Sequence, residues 1–111
     1  MILYTTFYDE YNSFRKLELL QCLEHNIANP AIREIVVFNE GSSLAQLGSK
    51  KIVEIKIDKR PTYQDFINYI NTNSNTDDIH IIANTDIYFD TNIKVLKHIN
   101  LKDTCLALSR W

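Results

Sequence analysis

Glycine occurs only twice in this 111-residue chain, as Gly41 and Gly48, both within one stretch. A glycine-rich dinucleotide fingerprint and a phosphate loop need glycine wherever backbone approaches phosphate, so neither is present. Cysteine also occurs twice, as Cys22 and Cys105, which is too few for a disulfide framework. Reduced thiols in a cytoplasmic compartment are the simpler reading, and a single Cys22–Cys105 bridge is the alternative. Cys22 and His25 have the spacing of half a zinc site, but His80 and His98 fall in other elements and no second half follows. Long apolar runs are missing too. Stretches such as Ile35-Val36-Val37-Phe38 fall far short of the about 20 residues a bilayer-crossing helix needs. Asp9-Glu10 arrives too early for a signal peptide, and no membrane association is expected. Twelve Lys and Arg against fourteen Asp and Glu give a net charge of −2, without the basic field that nonspecific nucleic-acid binding uses.

What is present is an ordinary globular balance, 45% hydrophobic and 23% charged, in a length that suits one domain over residues 1–111. Ile2 to Phe7 reads as a first strand. Asn12 or Ser13 can cap a helix in which Leu17, Leu20, Leu23 and Ile27, with Leu19 beside them, form the apolar side. Arg15, Glu18, Gln21 and His25 fall opposite, and Asn29-Pro30 stops the helix. Glu34 to Asn39 reads as a strand buried on both faces. Glu40 to Lys51 is a loop with one helical turn near Leu44 to Leu47. Ile52, Ile55 and Ile57 mark a third strand ending near Asp58. Thr62 and Asp65 form a capping box for a second helix with a Tyr63, Phe66, Ile67 and Ile70 stripe. After a polar connection from Asn71 to Asp78, a fourth strand is expected over Ile79 to Ala83, a short helix over Asn92 to Asn100 and a fifth strand over Cys105 to Ser109. Alternation of this kind predicts an α/β three-layer sandwich with a mostly parallel, Rossmann-like sheet of five strands.

Ligands of open parallel sheets bind beyond the carboxyl ends of the strands. Those ends carry Thr5-Thr6-Phe7-Tyr8-Asp9, Asn39-Glu40-Gly41-Ser42, Asp58-Lys59-Arg60-Pro61 and Asn84-Thr85-Asp86. A carboxylate such as Asp86 can hold a hard divalent cation that also holds a diphosphate, and Arg60 can supply a second positive group. By itself, Asn-x-Asp is also a common turn, and Asp90 a common helix cap. His80, between isoleucines, reads as a structural histidine. Phe89 reads as a packing residue, while Tyr8 and Tyr88 suit either packing or stacking on a base or sugar.

In order and spacing, Thr6-Phe7-Tyr8, then a helix, then Ile35 to Ser42, then Asn84-Thr85-Asp86 resembles the nucleotide-binding half of glycosyltransferases with the GT-A fold, over nearly the whole chain. The resemblance implies a nucleotide-diphosphosugar donor and Mn²⁺ or Mg²⁺ as cofactor. Carried over by position, Thr6 and Phe7 would lie against the nucleoside, with Tyr8 a further candidate for nucleotide binding. Glu40 or Asn39 would accept hydrogen bonds from base or ribose, and Arg60 would reach base or phosphates. Asp86 would bind the metal, with Asn84 where the family has its first Asp. Family members continue into an acceptor-binding half that carries the catalytic base of inverting members. The chain ends at Ser109-Arg110-Trp111, so a minimal or truncated member is expected, its homo-oligomer interface near Leu106 to Trp111 supplying part of what is missing. Two other readings stand beside it. One is a noncatalytic nucleotide-binding or assembly module on the same fold. The other is a phospho-acceptor receiver-like domain, suggested by Asp9-Glu10 and by Asp58 after the third strand.

Overall fold

The structure is a computed structural model that describes residues 1–73 and 78–98. Its elements run β1 (Ile2–Phe7), α1 (Ser13–Ala28), β2 (Glu34–Asn39), a 3₁₀ turn (Ala45–Leu47), β3 (Ile52–Lys56), α2 (Tyr63–Asn73), β4 (His80–Ile82) and a 3₁₀ helix (Thr91–His98). Among the described residues the strands form one parallel sheet of four, in the order β3-β2-β1-β4. The expected fifth strand, Cys105 to Ser109, lies outside the described residues, as do Ile99 and Asn100 of the expected third helix. The part of that helix that is described winds as 3₁₀ rather than α.

Alternation along the strands sorts the core into two faces. Leu3 and Phe7 of β1 and Ile35 and Val37 of β2 meet Leu19 and Leu23 of α1. Ile2, Tyr4, Val36 and Phe38 point the other way, onto Phe66 of α2. Each central strand is therefore greasy on both sides, as a strand between two helical layers must be. The result is a three-layer α/β arrangement compatible with a Rossmann-like fold.

Both helices bury narrower stripes than the sequence pattern suggests. In α1 the buried positions are Leu19, Leu23 and Asn26, while Leu17 is exposed. In α2 only Phe66 is buried, with Tyr69 and Ile70 against the sheet and Tyr63 and Ile67 outside. A parallel sheet of this width offers each helix only one line of contact, and residues on the flank of the stripe stay wet. The caps are as the sequence implies. Asn12 Oδ1 accepts from the Phe14 and Arg15 N–H groups. Thr62 and Asp65 close a reciprocal box, with Asp65 N–H donating to Thr62 Oγ1 and Thr62 N–H to Asp65 Oδ2. His80 fills its structural role: its Nδ1 lies 2.9 Å from the hydroxyl of buried Tyr4.

The strand order removes the receiver-like reading. That fold places β1 between β2 and β3, whereas here β1 pairs with β2 and β4, and β3 stands at the far edge. Asp9 and Asp58 consequently belong to strands that are not neighbours.

Candidate functional site

Because β2 and β3 lie to one side of β1 and β4 to the other, the order of the strands reverses between β1 and β4, and the crevice of an open α/β sheet falls there. The chain leaving β4 keeps beside β1 for three more residues. Ala83 N–H donates to Tyr4 O, and the Thr85 hydroxyl donates to Thr6 O at 2.6 Å. Thr85 has then spent its one proton, so the 2.9 Å contact between the two hydroxyls is a donation from Thr6 to Thr85. This pair places Asn84 and Asp86, both exposed, on either side of buried Thr85 at the mouth of the crevice.

Beyond Thr85 the segment folds onto the flank of α1. Arg15 donates to Asp86 Oδ2 at 3.0 Å and to Glu18 at 3.2 Å. These bonds, Asp86 first, raise the guanidinium above its already high value, so it is charged at every accessible pH. Asn26 pairs with the loop as a neighbouring strand would: its Nδ2 donates to Ile87 O and its Oδ1 accepts from Phe89 N–H. Asn29 donates to Phe89 O and Asp90 O, and His25 stacks on Tyr88 with ring centroids 4.5 Å apart. Phe89 packs into the core clusters as expected. His25 is thus turned to Tyr88, and among the described residues no three His, Cys, Asp or Glu gather as a metal cluster. Cys22 is a free thiol, pushed up by burial and then by Asp86 and Glu18.

On the β2 side of β1 the polar groups face one another. Asn39 is 0% exposed. Its amide donates to Ser42 O and Glu54 Oε2 and accepts from Gly41 N–H. Glu54 also accepts from Leu44 N–H and pairs with Lys56. Burial alone would raise the Glu54 carboxyl, but the Leu44, Asn39 and Lys56 hydrogen bonds together outweigh it and hold the group below the usual carboxylate range. Asp9 accepts from the Ser42 N–H and hydroxyl, which lowers its pKa, and ties the loop after β1 to the loop after β2.

Two of the expected binding residues are buried. Phe7, expected beside a nucleoside, is 3% exposed and belongs to the core under α1. Asn39, expected to accept from base or ribose, is occupied by its own loop. In each case alternation aims the side chain at α1 and away from solvent. Tyr8 is half-buried against the same core, Thr6 is half-buried, and Glu40 is exposed, its N–H donating to Phe7 O. Arg60 is exposed beyond β3, at the opposite sheet edge from Asp86. Three strand spacings of about 4.8 Å separate those edges, roughly 14 Å. Arg60 and Asp86 therefore serve different ends of the row. Beside Arg60, an open cleft of ≈ 670 Å³ is lined by Phe38, Lys56, Ile57, Asp58, Lys59, Pro61 and Asp65. The Leu106 to Trp111 interface lies outside the described residues.

Sequence reasoning missed Arg15, Asn26, Asn29 and Glu54. Asn26 and Asn29 had a legible signal: amides spaced i, i+3 in line with Leu19 and Leu23, where a buried stripe should be apolar. Arg15 had none, since its partner is 71 residues away.

The fold and this site define an α/β protein with an open parallel sheet and a polar crevice at its strand-order reversal. No protein-family model, curated protein or solved structure matches the chain.

Proposed function

We propose that the chain is a nucleotide-diphosphosugar-binding domain of the glycosyltransferase type, with a GT-A-like, five-stranded sheet. The observation that carries this reading is the exposed Asn84–Asp86 pair, set at the β1–β4 crevice by the Thr85–Thr6 hydrogen bonds. The strand ends form a row long enough for such a ligand. Its nucleoside would take the cleft beside Arg60, with Glu40 and Tyr8 midway, and its diphosphate would reach Asp86.

The donor set suits Mn²⁺ or Mg²⁺ in a restricted way. One carboxylate, Asp86, two residues beyond Asn84, is enough for a hard cation whose other oxygens come from substrate phosphates. The guanidinium already seated on Asp86 marks a place where positive charge is favourable. When bound, the ion would neutralise charge gathering on a departing nucleoside diphosphate. The chain's own residues do the positioning. Thr85 and Asn26 fix the backbone on both sides of Asp86, and Asn12 keeps the first α1 amides for itself, so the phosphates depend on side chains. A homo-oligomer in a reducing, cytoplasmic compartment, with a neighbouring chain walling the site for an acceptor, belongs to the same proposal.

Calorimetry with uridine and guanosine diphosphates, in Mn²⁺ and in EDTA, is the test. Binding that is tighter in Mn²⁺ is expected. No binding of either nucleotide at millimolar concentration removes the donor-site reading.

A further inference from the structure

We infer that Arg15 is a movable counter-charge of the crevice, held by Asp86 until a divalent cation takes that carboxylate and then turned to the diphosphate. This rests on the nucleotide-diphosphosugar reading and adds a residue and an order of events to it. Arg15 stands in the first turn of α1 and crosses to Asp86 at 3.0 Å, with its other terminal nitrogen on Glu18 at 3.2 Å. All three side chains are wet, at 40%, 34% and 62% exposure for Arg15, Asp86 and Glu18. Ion pairs that exposed are weak and readily exchanged. A buried pair would hold its partners; this one can let go.

Charge balance gives the order. One guanidinium facing two carboxylates leaves the cluster with excess negative charge, so a diphosphate arriving alone is repelled. A divalent cation on Asp86 would reverse the sign and compete with Arg15 for that carboxylate. The released guanidinium has the planar fork that fits phosphate and cannot lose its proton. It is also near the right end of the row, whereas Arg60 sits at the other edge of the sheet. Cation and diphosphate should therefore each strengthen the other's binding.

The experiment is calorimetry on the 111-residue chain and on Arg15→Gln and Arg15→Lys, with MnCl₂ alone and with uridine or guanosine diphosphate at saturating Mn²⁺. Arg15→Gln should bind Mn²⁺ alone several-fold more tightly, because its competitor is gone. The same variant should bind the nucleotide about tenfold more weakly, the scale of one charge-assisted hydrogen bond. Arg15→Lys keeps the charge and should leave Mn²⁺ binding near the parent value. Opposite shifts for the two ligands in Arg15→Gln are the signature, since general damage moves both the same way. Unchanged Mn²⁺ affinity in Arg15→Gln, unchanged nucleotide affinity, or equal tightening by Arg15→Lys overturns the inference. If the parent binds both ligands while the variants change neither, only the role of Arg15 falls. If the parent binds neither, the donor-site reading falls with it.

Discussion

The two sides of the β1 carboxyl end are built from similar residues and used differently. Toward β2, Asn39, Glu54, Lys56, Asp9 and Ser42 satisfy one another around a buried amide. Toward β4, Asn84 and Asp86 are exposed, and Asp86 holds a guanidinium that is itself wet. An Asn-x-x-Ser turn and an Asn-x-Asp turn look equally polar in a sequence. What separates them is burial: a desolvated polar group must be paired within the fold, while an exposed one can exchange its partner for a ligand. The β2 side is accordingly a structural clamp, and the β4 side is the better candidate for binding.

The largest effect should come from breaking the clamp. Asn39→Ala strips three hydrogen bonds from a buried site and leaves Gly41 N–H and Glu54 short of a partner. A loss of about 2–3 kcal/mol is expected in urea unfolding, on the scale of unsatisfied buried groups. A loss below about 0.5 kcal/mol would make the two sides equivalent.

Gly41→Ala tests the same side by crowding. A Cβ there would sit 2.7 Å from the Asp9 backbone nitrogen and 2.7 Å from its Oδ1. The carboxylate can swing aside but the backbone cannot, so a cost of about 1–3 kcal/mol is expected by thermal melting, as for other overpacked sites.

Glu54 sharpens the comparison through pH. Its folded pKa lies below the ordinary value of 4.5, so its contribution is present above pH 4.5 and lost as pH falls through the folded value. Glu54→Gln should flatten the stability profile in that acid window and change it little near neutrality. An unaltered acid limb would show that other carboxylates set it.

Asp86→Asn should cost least in stability, about 0–1 kcal/mol, because its ion pair with Arg15 is exposed. In nucleotide titrations the same variant should lose most of the Mn²⁺ dependence. A melting loss as large as that of Asn39→Ala would make Asp86 a second clamp residue instead of a ligand-facing one.

Much of the fold can be read locally. The strands over Ile2–Phe7 and Glu34–Asn39 have the bounds their apolar runs imply, and the Thr62–Asp65 box begins α2. The site was legible only in part. Asn84, Asp86, Glu40 and Arg60 are exposed at strand ends, as reading the loops predicts. Phe7 and Asn39 are turned inward because each is the last residue of its strand, where one step of the pleat decides between crevice and core.

Composition and periodicity determined the class of this protein: parallel strands alternating with helices, without a spanning helix among the described residues and without glycine-rich phosphate loops. Those properties follow from which side chains repeat every two or every 3.6 residues, and they need no distant partner. Only the tertiary structure decided that β4 lies against β1, that Arg15 reaches Asp86, and that two asparagines of α1 and its C-terminal cap bind the loop after β4. Strand order is chosen by pairing across long crossovers, and a buried parallel strand offers two similar edges. The choice between them is made by packing free energy summed over the whole sheet, which leaves no mark in any one stretch of sequence.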